Sequence, residues 1–209
     1  MISFVYFDLG GVVIDDFSGN NKWAELKQEL GVTPATDTAF EALWQRYLPE
    51  ICLDRDVDTL VPLLESELGL RLPDGYSLLD GFVKRFYANP AIWPLLARLK
   101  SKLRIGLLTN MYPRMFVAIE QRHILPDVAW DVVIDSSVEQ LQKPDPKLLA
   151  VAQQRAGVPN SQILFIDNSA EHITAAKAFG WQVFLYDSSD HVASVEKLGQ
   201  LLAGSRHTA

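Results

Sequence analysis

Cysteine is almost missing from this chain: Cys52 stands alone among 209 residues. A lone thiol forms no internal disulfide, and cysteine-based zinc sites are excluded with it. It reads as a structural residue, because no base neighbours it in sequence. Histidine is scarce as well, with 4 in the chain, and His123, His191 and His207 have no partners at metal-ligand spacing. No Lys/Arg block occurs, and 19 basic residues against 26 acidic ones leave a formal net charge of -7. That balance argues against a nucleic-acid surface. No apolar stretch approaches the roughly 20 residues that cross a bilayer. The opening "MISFVYFDLG" has no basic lead and meets an acid at position 8, so it is not read as a signal peptide. The expectation from these absences is a cytoplasmic protein with no membrane or nucleic-acid partner.

What remains is ordinary globular material, 48% hydrophobic and 22% charged. The length suits one domain with an insertion, or two small ones. Five short runs predict strands: "ISFVYF" (2–7), "LRIGLLT" (103–109), "DVVID" (131–135), "ILFID" (163–167) and "WQVFLY" (181–186). Each is apolar at both parities, as strands covered on both faces are. Helical spacing over Pro113 to His123, Pro146 to Ala156 and Ala170 to Phe179, the last closed by Gly180, alternates with the later runs. The fold class predicted is therefore α/β with a Rossmann-like parallel sheet.

Residues 16–89 break that rhythm. "NKWAELKQELG", "TAFEALWQRYL", "DTLVPLLESELG" and "SLLDGFVKRFYA" read as four helices separated by polar turns. The expected organisation is a core of residues 1–15 and 90–209 with an all-helical insertion over 16–89. The sheet resumes after "NPAIWPLLARLKSK", and the tail "GSRHTA" is expected to fray. Trp23, Phe40, Trp44, Tyr47, Phe82, Phe86 and Tyr87 fall in the insertion at spacings that favour packing over a substrate-facing wall. Residues 15–20, "DDFSGN", suit a hinge or a plain linker, with Gly19 as the pivot. Asp54, Asp56 and Asp58 flank a helix start, where acids are favoured.

Polar residues end three of the strands: Asp8 the first, Thr109 and Asn110 the second, Asp167 and Asn168 the fourth. In open parallel sheets, ligands bind beyond these carboxyl ends. Any one of these residues also makes an ordinary helix cap. The "LQKPDP" segment adds Lys143, kept out of helical geometry by Pro144. The opening "FDLGGVV" raises the sharper point, since two glycines follow the lone acid.

"FDLGGVV", "LLTN", "QKPDP" and "LFIDNSAEHITAAKAFG" occur in the order of the four motifs of the haloacid dehalogenase-like (HAD) hydrolase superfamily, which the chain resembles over roughly two thirds of its length. The helical insertion resembles that family's C1-type cap. The "DLGGVV" form is similar to the branch of sugar-phosphate phosphatases and epoxide hydrolase phosphatase domains. The resemblance implies Asp8 as nucleophile toward a small phosphorylated metabolite. It implies Mg²⁺ held by Asp8, the Gly10 carbonyl, Asp167 and Asn168. Thr109, Lys143 and the backbone N–H groups near Gly11 and Asn110 would bind the phosphoryl group.

Two positions depart from the pattern. Gly10 stands where the family's phosphatases carry a second acid that protonates the leaving group and activates water. Asn168 stands where a second metal-binding Asp is usual, which makes the metal site one charge poorer. Asp15, Asp16, Glu171 or His172 could replace the missing acid, the substrate could carry a good leaving group, or turnover could be slow. Two other readings stay open: a 2-haloacid dehalogenase, whose halide leaves unprotonated, and a pseudoenzyme that binds a phosphate ligand without turning it over.

Overall fold

The computed structural model describes residues 1–204; His207 and most of the tail expected to fray lie outside the described residues. The chain begins with β1 (Phe4–Phe7) and β2 (Ile14–Asp15), then α1 (Lys22–Glu29), α2 (Asp37–Ile51), α3 (Val61–Leu68) and α4 (Leu78–Val83). β3 (Tyr87–Ala88), α5 (Trp93–Lys100), β4 (Arg104–Thr109), α6 (Met115–Gln121), β5 (Val132–Asp135) and α7 (Ser136–Glu139) follow. The last elements are α8 (Pro146–Ala156), β6 (Ile163–Asp167), α9 (Ala170–Ala178), β7 (Gln182–Leu185) and α10 (His191–Gly204).

Five strands form a parallel sheet in the order β5-β4-β1-β6-β7. The apolar runs explain the order. β1 and β6 are buried at every residue and β4 at all but its first, so these three occupy the centre. The edge strands β5 and β7 are only partly covered. Successive side chains point to opposite faces. Val5, Phe7, Leu107 and Ile166 join the core shared with α5, α10 and the helical segment. Phe4, Tyr6, Leu108 and Phe165 pack on the other face against Leu148, Leu149 and Ala152 of α8. Each fully buried side chain of this size contributes roughly 1.5–3 kcal/mol.

The helical segment leaves and rejoins the sheet through one small joint. β2 and β3 pair antiparallel, with Ile14 opposite Ala88 and Asp15 opposite Tyr87. This pairing corrects the expectation of a helix through "SLLDGFVKRFYA": α4 stops at Val83, and Tyr87 and Ala88 are taken by the ladder with β2. "DTLVPLLESELG" also divides, into a 3₁₀ turn at Val57–Leu60 and then α3, with Pro62 in its first turn and Gly69 ending it at φ 67°. The Asp56 side chain caps the 3₁₀ turn by accepting the Asp58 N–H, as the helix-start reading of these acids predicts.

α6 is shorter than expected because Arg114 precedes it at φ 70°. Arg114 pairs with Asp56 at 2.6 Å and with Asp58 at 2.8 Å, tying α6 to the helical segment. α7 and α10 were not foreseen. His191 is half-buried, and its Nδ1 lies 3.1 Å from both Asn89 Nδ2 and the Tyr186 hydroxyl. No helix among the described residues is long and apolar enough to cross a membrane.

Candidate active site

Three strand ends and one loop converge. Asp8 follows β1 directly, Thr109 ends β4, Asp167 ends β6, and Lys143 comes from the turn before α8. All four are buried. Lys143 Nζ lies 2.9 Å from Asp8 Oδ1 and 2.7 Å from Asp167 Oδ2. A buried ammonium is sustained only by such partners. Asn110 positions it: its Oδ1 accepts the Lys143 N–H at 2.8 Å, and its Nδ2 donates to the Lys143 carbonyl at 3.0 Å. The sequence pointed to the Asn110 backbone; this two-way clamp by its side chain was not legible there.

Asp167 is saturated. Its Oδ1 accepts the Ser169 N–H at 2.7 Å, and His172 Nδ1 lies 3.0 Å from its Oδ2. Burial would raise its carboxyl, but Lys143 and His172 outweigh that and hold it low, at about 2. Asp8 goes the other way. Burial raises its carboxyl to about 6, against the pull of Lys143 and with a further push from the Asp167 charge. Asp8 Oδ1 also accepts the Leu9 N–H at 2.7 Å, and among the described residues Oδ2 accepts no hydrogen bond.

Gly11 adopts φ 72°, and a Cβ there would run into the Asn168 amide and lie 2.8 Å from Ser188 Oγ and 2.9 Å from Ser18 Oγ. Only glycine lets these groups close around the loop. Ser188 Oγ donates to the Gly11 carbonyl at 2.7 Å, and Asn168 Nδ2 donates to Ser188 Oγ at 3.0 Å. Ser188, beyond the last strand, carried no sequence signal.

Asp8, Gly10, Thr109, Asn110, Lys143 and Asn168 form the floor of a cavity of about 400 Å³, with Gly11, Asp167 and Ser188 behind it. Its wall comes from Phe17, Trp23, Trp44, Phe82, Phe86 and Tyr112. The rings pack on one another, Trp23 to Trp44 at 5.0 Å, Phe17 to Phe82 at 5.1 Å and Phe82 to Tyr112 at 5.2 Å between centroids. The expectation of packing alone is thus incomplete for Trp23, Trp44, Phe82 and Phe86, which pack and also line the cavity. Phe40 is buried away from it, and Tyr87 is exposed beneath Lys22. Tyr47 does not line it either. Phe17 and Tyr112 were not singled out from sequence.

The four suggested replacement acids and bases separate clearly. Asp15 pairs with Lys22 at 2.8 Å. Glu171 is exposed and does not line the cavity. His172 lines it but is bound to Asp167. Asp16 lines the cavity, and burial raises its carboxyl. Glu41 lines it too, tied to Trp23 Nε1 at 2.8 Å and Lys27 at 2.9 Å. Cys52 is buried, and burial pushes its thiol up to about 11, which fits an inert structural residue.

The donors suit a hard cation. Asp8 Oδ2, the Gly10 carbonyl and the amide oxygen of Asn168, whose nitrogen is turned to Ser188, are oxygen ligands of the type Mg²⁺ takes. Ligand atoms of Asp8, Asp167 and His172 lie within 4.8 Å of one another, but Lys143 already claims the Asp167 carboxylate.

The sequence and the fold are matched among known proteins. A family model described as haloacid dehalogenase-like hydrolase matches residues 2–180. The chain belongs to the haloacid dehalogenase-like hydrolases. It is 26% identical over 222 aligned positions to phosphatase MT3486 of Mycobacterium tuberculosis, covering 98% of each chain. An (S)-2-haloacid dehalogenase of Pseudomonas fluorescens is 32% identical over 123 residues, 57% of this chain and 50% of that one. The HAD family enzyme bt-2542 of Bacteroides thetaiotaomicron, solved with magnesium and inorganic phosphate, superposes with a TM-score of 0.70 at 16% identity, over 91% of this chain and 96% of that one. This last likeness is one of fold.

Proposed function

We propose that the protein is an Mg²⁺-dependent phosphatase that hydrolyses a small phosphorylated metabolite through an aspartyl-phosphate on Asp8. The observation that carries this reading is the buried Lys143 ammonium, 2.9 Å from Asp8 at the floor of a cavity wide enough for a small substrate. Phosphoryl transfer depends on positioning and charge neutralisation more than on bond-making by the protein. A carboxylate oxygen of Asp8 attacks phosphorus, and the aspartyl-phosphate splits one hard displacement into two easier ones. Lys143 offsets the charge of the entering phosphoryl group, while Thr109 and the Asn110 N–H donate to its oxygens; the Gly11 N–H expected to join them is spent on the Ile14 carbonyl at 2.8 Å. Asp167 and His172 act one step removed, by holding Lys143 in place. Asp8, the Gly10 carbonyl and Asn168 would hold Mg²⁺, which supplies further charge neutralisation when bound.

Residues 16–89 serve as the cap over this floor, on the support that they supply most of the aromatic wall. That wall carries rings, Gln45 and the Glu41 carboxylate, and among the described lining residues the cation is Lys143 on the floor. It favours a leaving group that is flat or apolar and carries no second negative charge.

The deciding experiment is phosphate release from aryl, alkyl and acyl phosphates, with Mg²⁺, with EDTA, and with Asp8→Asn. Mg²⁺-dependent release that the variant loses supports the phosphatase. A second reading, 2-haloacid dehalogenase, is favoured by Gly10, which offers no acid to a leaving group. Halide release from a 2-haloacid in EDTA, with no phosphate release from any ester, would establish it instead.

A further inference from the structure

Gly10 is not among the glycines at positive φ, so its backbone admits any side chain. What forbids one is a neighbour. A Cβ built on Gly10 would overlap Asp16 Oδ2 and lie 3.1 Å from Asp16 Cγ. The carboxylate of Asp16 therefore fills the space in which a side chain at position 10 would start. An acid cannot stand at position 10 while Asp16 keeps this place.

Asp16 is held there. It follows β2, whose pairing with β3 fixes the root of the loop. Its Oδ1 accepts the Ser18 N–H at 2.8 Å, and Asn20 Nδ2 donates to its carbonyl at 2.7 Å. The turn consumes Oδ1 and leaves Oδ2 as the oxygen directed at Gly10. Asp8, Asp16 and Lys143 line the same cavity, whereas Asp15 is taken by Lys22 and Glu41 by Lys27.

We propose that Asp16 is the general acid and base of this hydrolase, delivering from a separate loop the carboxyl group that Gly10 lacks. This rests on the phosphatase reading. In the first half-reaction an Asp8 oxygen bonds to phosphorus, the P–O bond to the leaving group breaks, and the Asp16 carboxyl gives its proton to the departing oxygen. In the second, the Asp16 carboxylate takes a proton from water. The water oxygen bonds to phosphorus and the bond to Asp8 breaks, leaving inorganic phosphate, a free Asp8 carboxylate and a protonated Asp16.

The rival account makes Asp16 a turn residue only. Asp16→Asn separates the two, because Asn keeps an oxygen for the Ser18 N–H and loses the transferable proton. The full-length Mg²⁺-loaded protein would be assayed on phenyl phosphate and on 2,4-dinitrophenyl phosphate, whose phenolate needs no proton. The expected result is a fall of about 10²–10³-fold in kcat on phenyl phosphate. On the dinitrophenyl ester a burst of phenolate approaching one equivalent is expected, followed by slow turnover as the aspartyl-phosphate on Asp8 accumulates. A second variant, G10D/D16A, returns an acid at the original position once the obstructing carboxylate is gone, and should recover activity on phenyl phosphate relative to D16A.

If Asp16→Asn keeps the wild-type ratio of rates on the two esters and shows no burst, and G10D/D16A recovers nothing, Asp16 is a turn residue and the proposal falls alone. If the wild-type protein releases phosphate from neither ester, the phosphatase reading falls and takes this assignment with it.

Discussion

The floor and the wall of the cavity are built on different principles. The floor is a charge arrangement on strand ends. β1 is in register with β4 and β6, and this register sets the heights of Asp8, Thr109 and Asp167. A slip of one residue would turn each to the opposite face of the sheet. The wall is an area arrangement, in which rings from α1, α2 and α4 rest on one another, with the Trp23–Glu41 hydrogen bond at its margin. Each buried charge on the floor has an opposite charge or hydrogen bond depending on it, so its groups are not exchangeable. Rings in contact tolerate exchange far better. On the phosphatase reading, the floor specifies the reaction, and the wall specifies what is attached to the phosphate.

The largest effects come from breaking the floor. Asp8→Asn should abolish turnover, with a loss on the order of 10⁴-fold or more in kcat. The same change should stabilise the fold. Burial holds the Asp8 carboxyl at about 6, so the folded chain binds this proton more tightly than the unfolded one. The stability it brings is complete below about pH 4 and is lost as pH rises through about 6. Melting temperatures in EDTA should therefore match at pH 4, with the variant a few degrees higher at pH 7. Equal melting at both values would remove the idea of a strained, desolvated nucleophile.

Lys143→Met comes next. It leaves Asp8 and Asp167 facing each other without the cation between them. Removing one member of a buried charge group costs about 3–5 kcal/mol, and losing the phosphoryl contact costs roughly 10²–10³-fold in kcat. Chemical denaturation and single-turnover rates read the two separately. A stable, active Lys143→Met would show that the ammonium is not what the floor is built around.

The wall should respond differently. Trp23 meets Trp44 edge-on and lies 6.2 Å from Phe17 between ring centroids, with its Nε1 bound to Glu41. Trp23→Leu should raise KM for aryl phosphates about tenfold, the equivalent of one lost ring contact, with kcat little changed. Acetyl phosphate, too small to reach the rings, should show almost no effect. A fall in kcat shared by both substrates would place Trp23 in the chemistry and erase the division between wall and floor.

The same division governs what the sequence disclosed. Strand cores and their polar ends lie on continuous runs, so the parallel sheet and Asp8, Thr109 and Asp167 at its strand ends were legible from local pattern, as was Lys143 before Pro144, whereas the strand order was not. The Asn110 side-chain clamp, the Ser188 contact with Gly11 and the approach of Asp16 to Gly10 are contacts between loops, and no spacing within a loop encodes them. The aromatic residues were read as packing because helical periodicity reports burial, and rings lining a cavity beneath other rings are nearly as buried as rings in a core. The end of α4 was misjudged because "FVKRFYA" has helical spacing throughout, while the competing two-residue ladder with β2 depends on a partner more than 70 positions earlier.

The smallest effect expected tests how the wall is anchored. Glu29, at the end of α1, accepts from Lys84 at 2.6 Å, from Tyr76 at 2.7 Å and from Arg85 at 2.8 Å, joining α1 to α4 and the loop before it. Partial burial would raise its carboxyl, but these three donors outweigh burial and hold it at about 2. A depressed carboxyl stabilises the fold above its unfolded value, near 4.5, and the contribution fades as pH falls through about 2. The cluster faces water, so screening reduces the gain to about 1 kcal/mol. Glu29→Gln should lower stability by that amount at pH 7 and match the wild type near pH 2, in urea unfolding followed by tryptophan fluorescence. Because this clamp holds α1 and α4 but touches nothing on the floor, KM for an aryl phosphate should rise about twofold while kcat on acetyl phosphate stays constant. A loss of kcat in this variant would mean that the helical segment positions the reacting groups as well as the leaving group, and the two regions would then have to be treated as one.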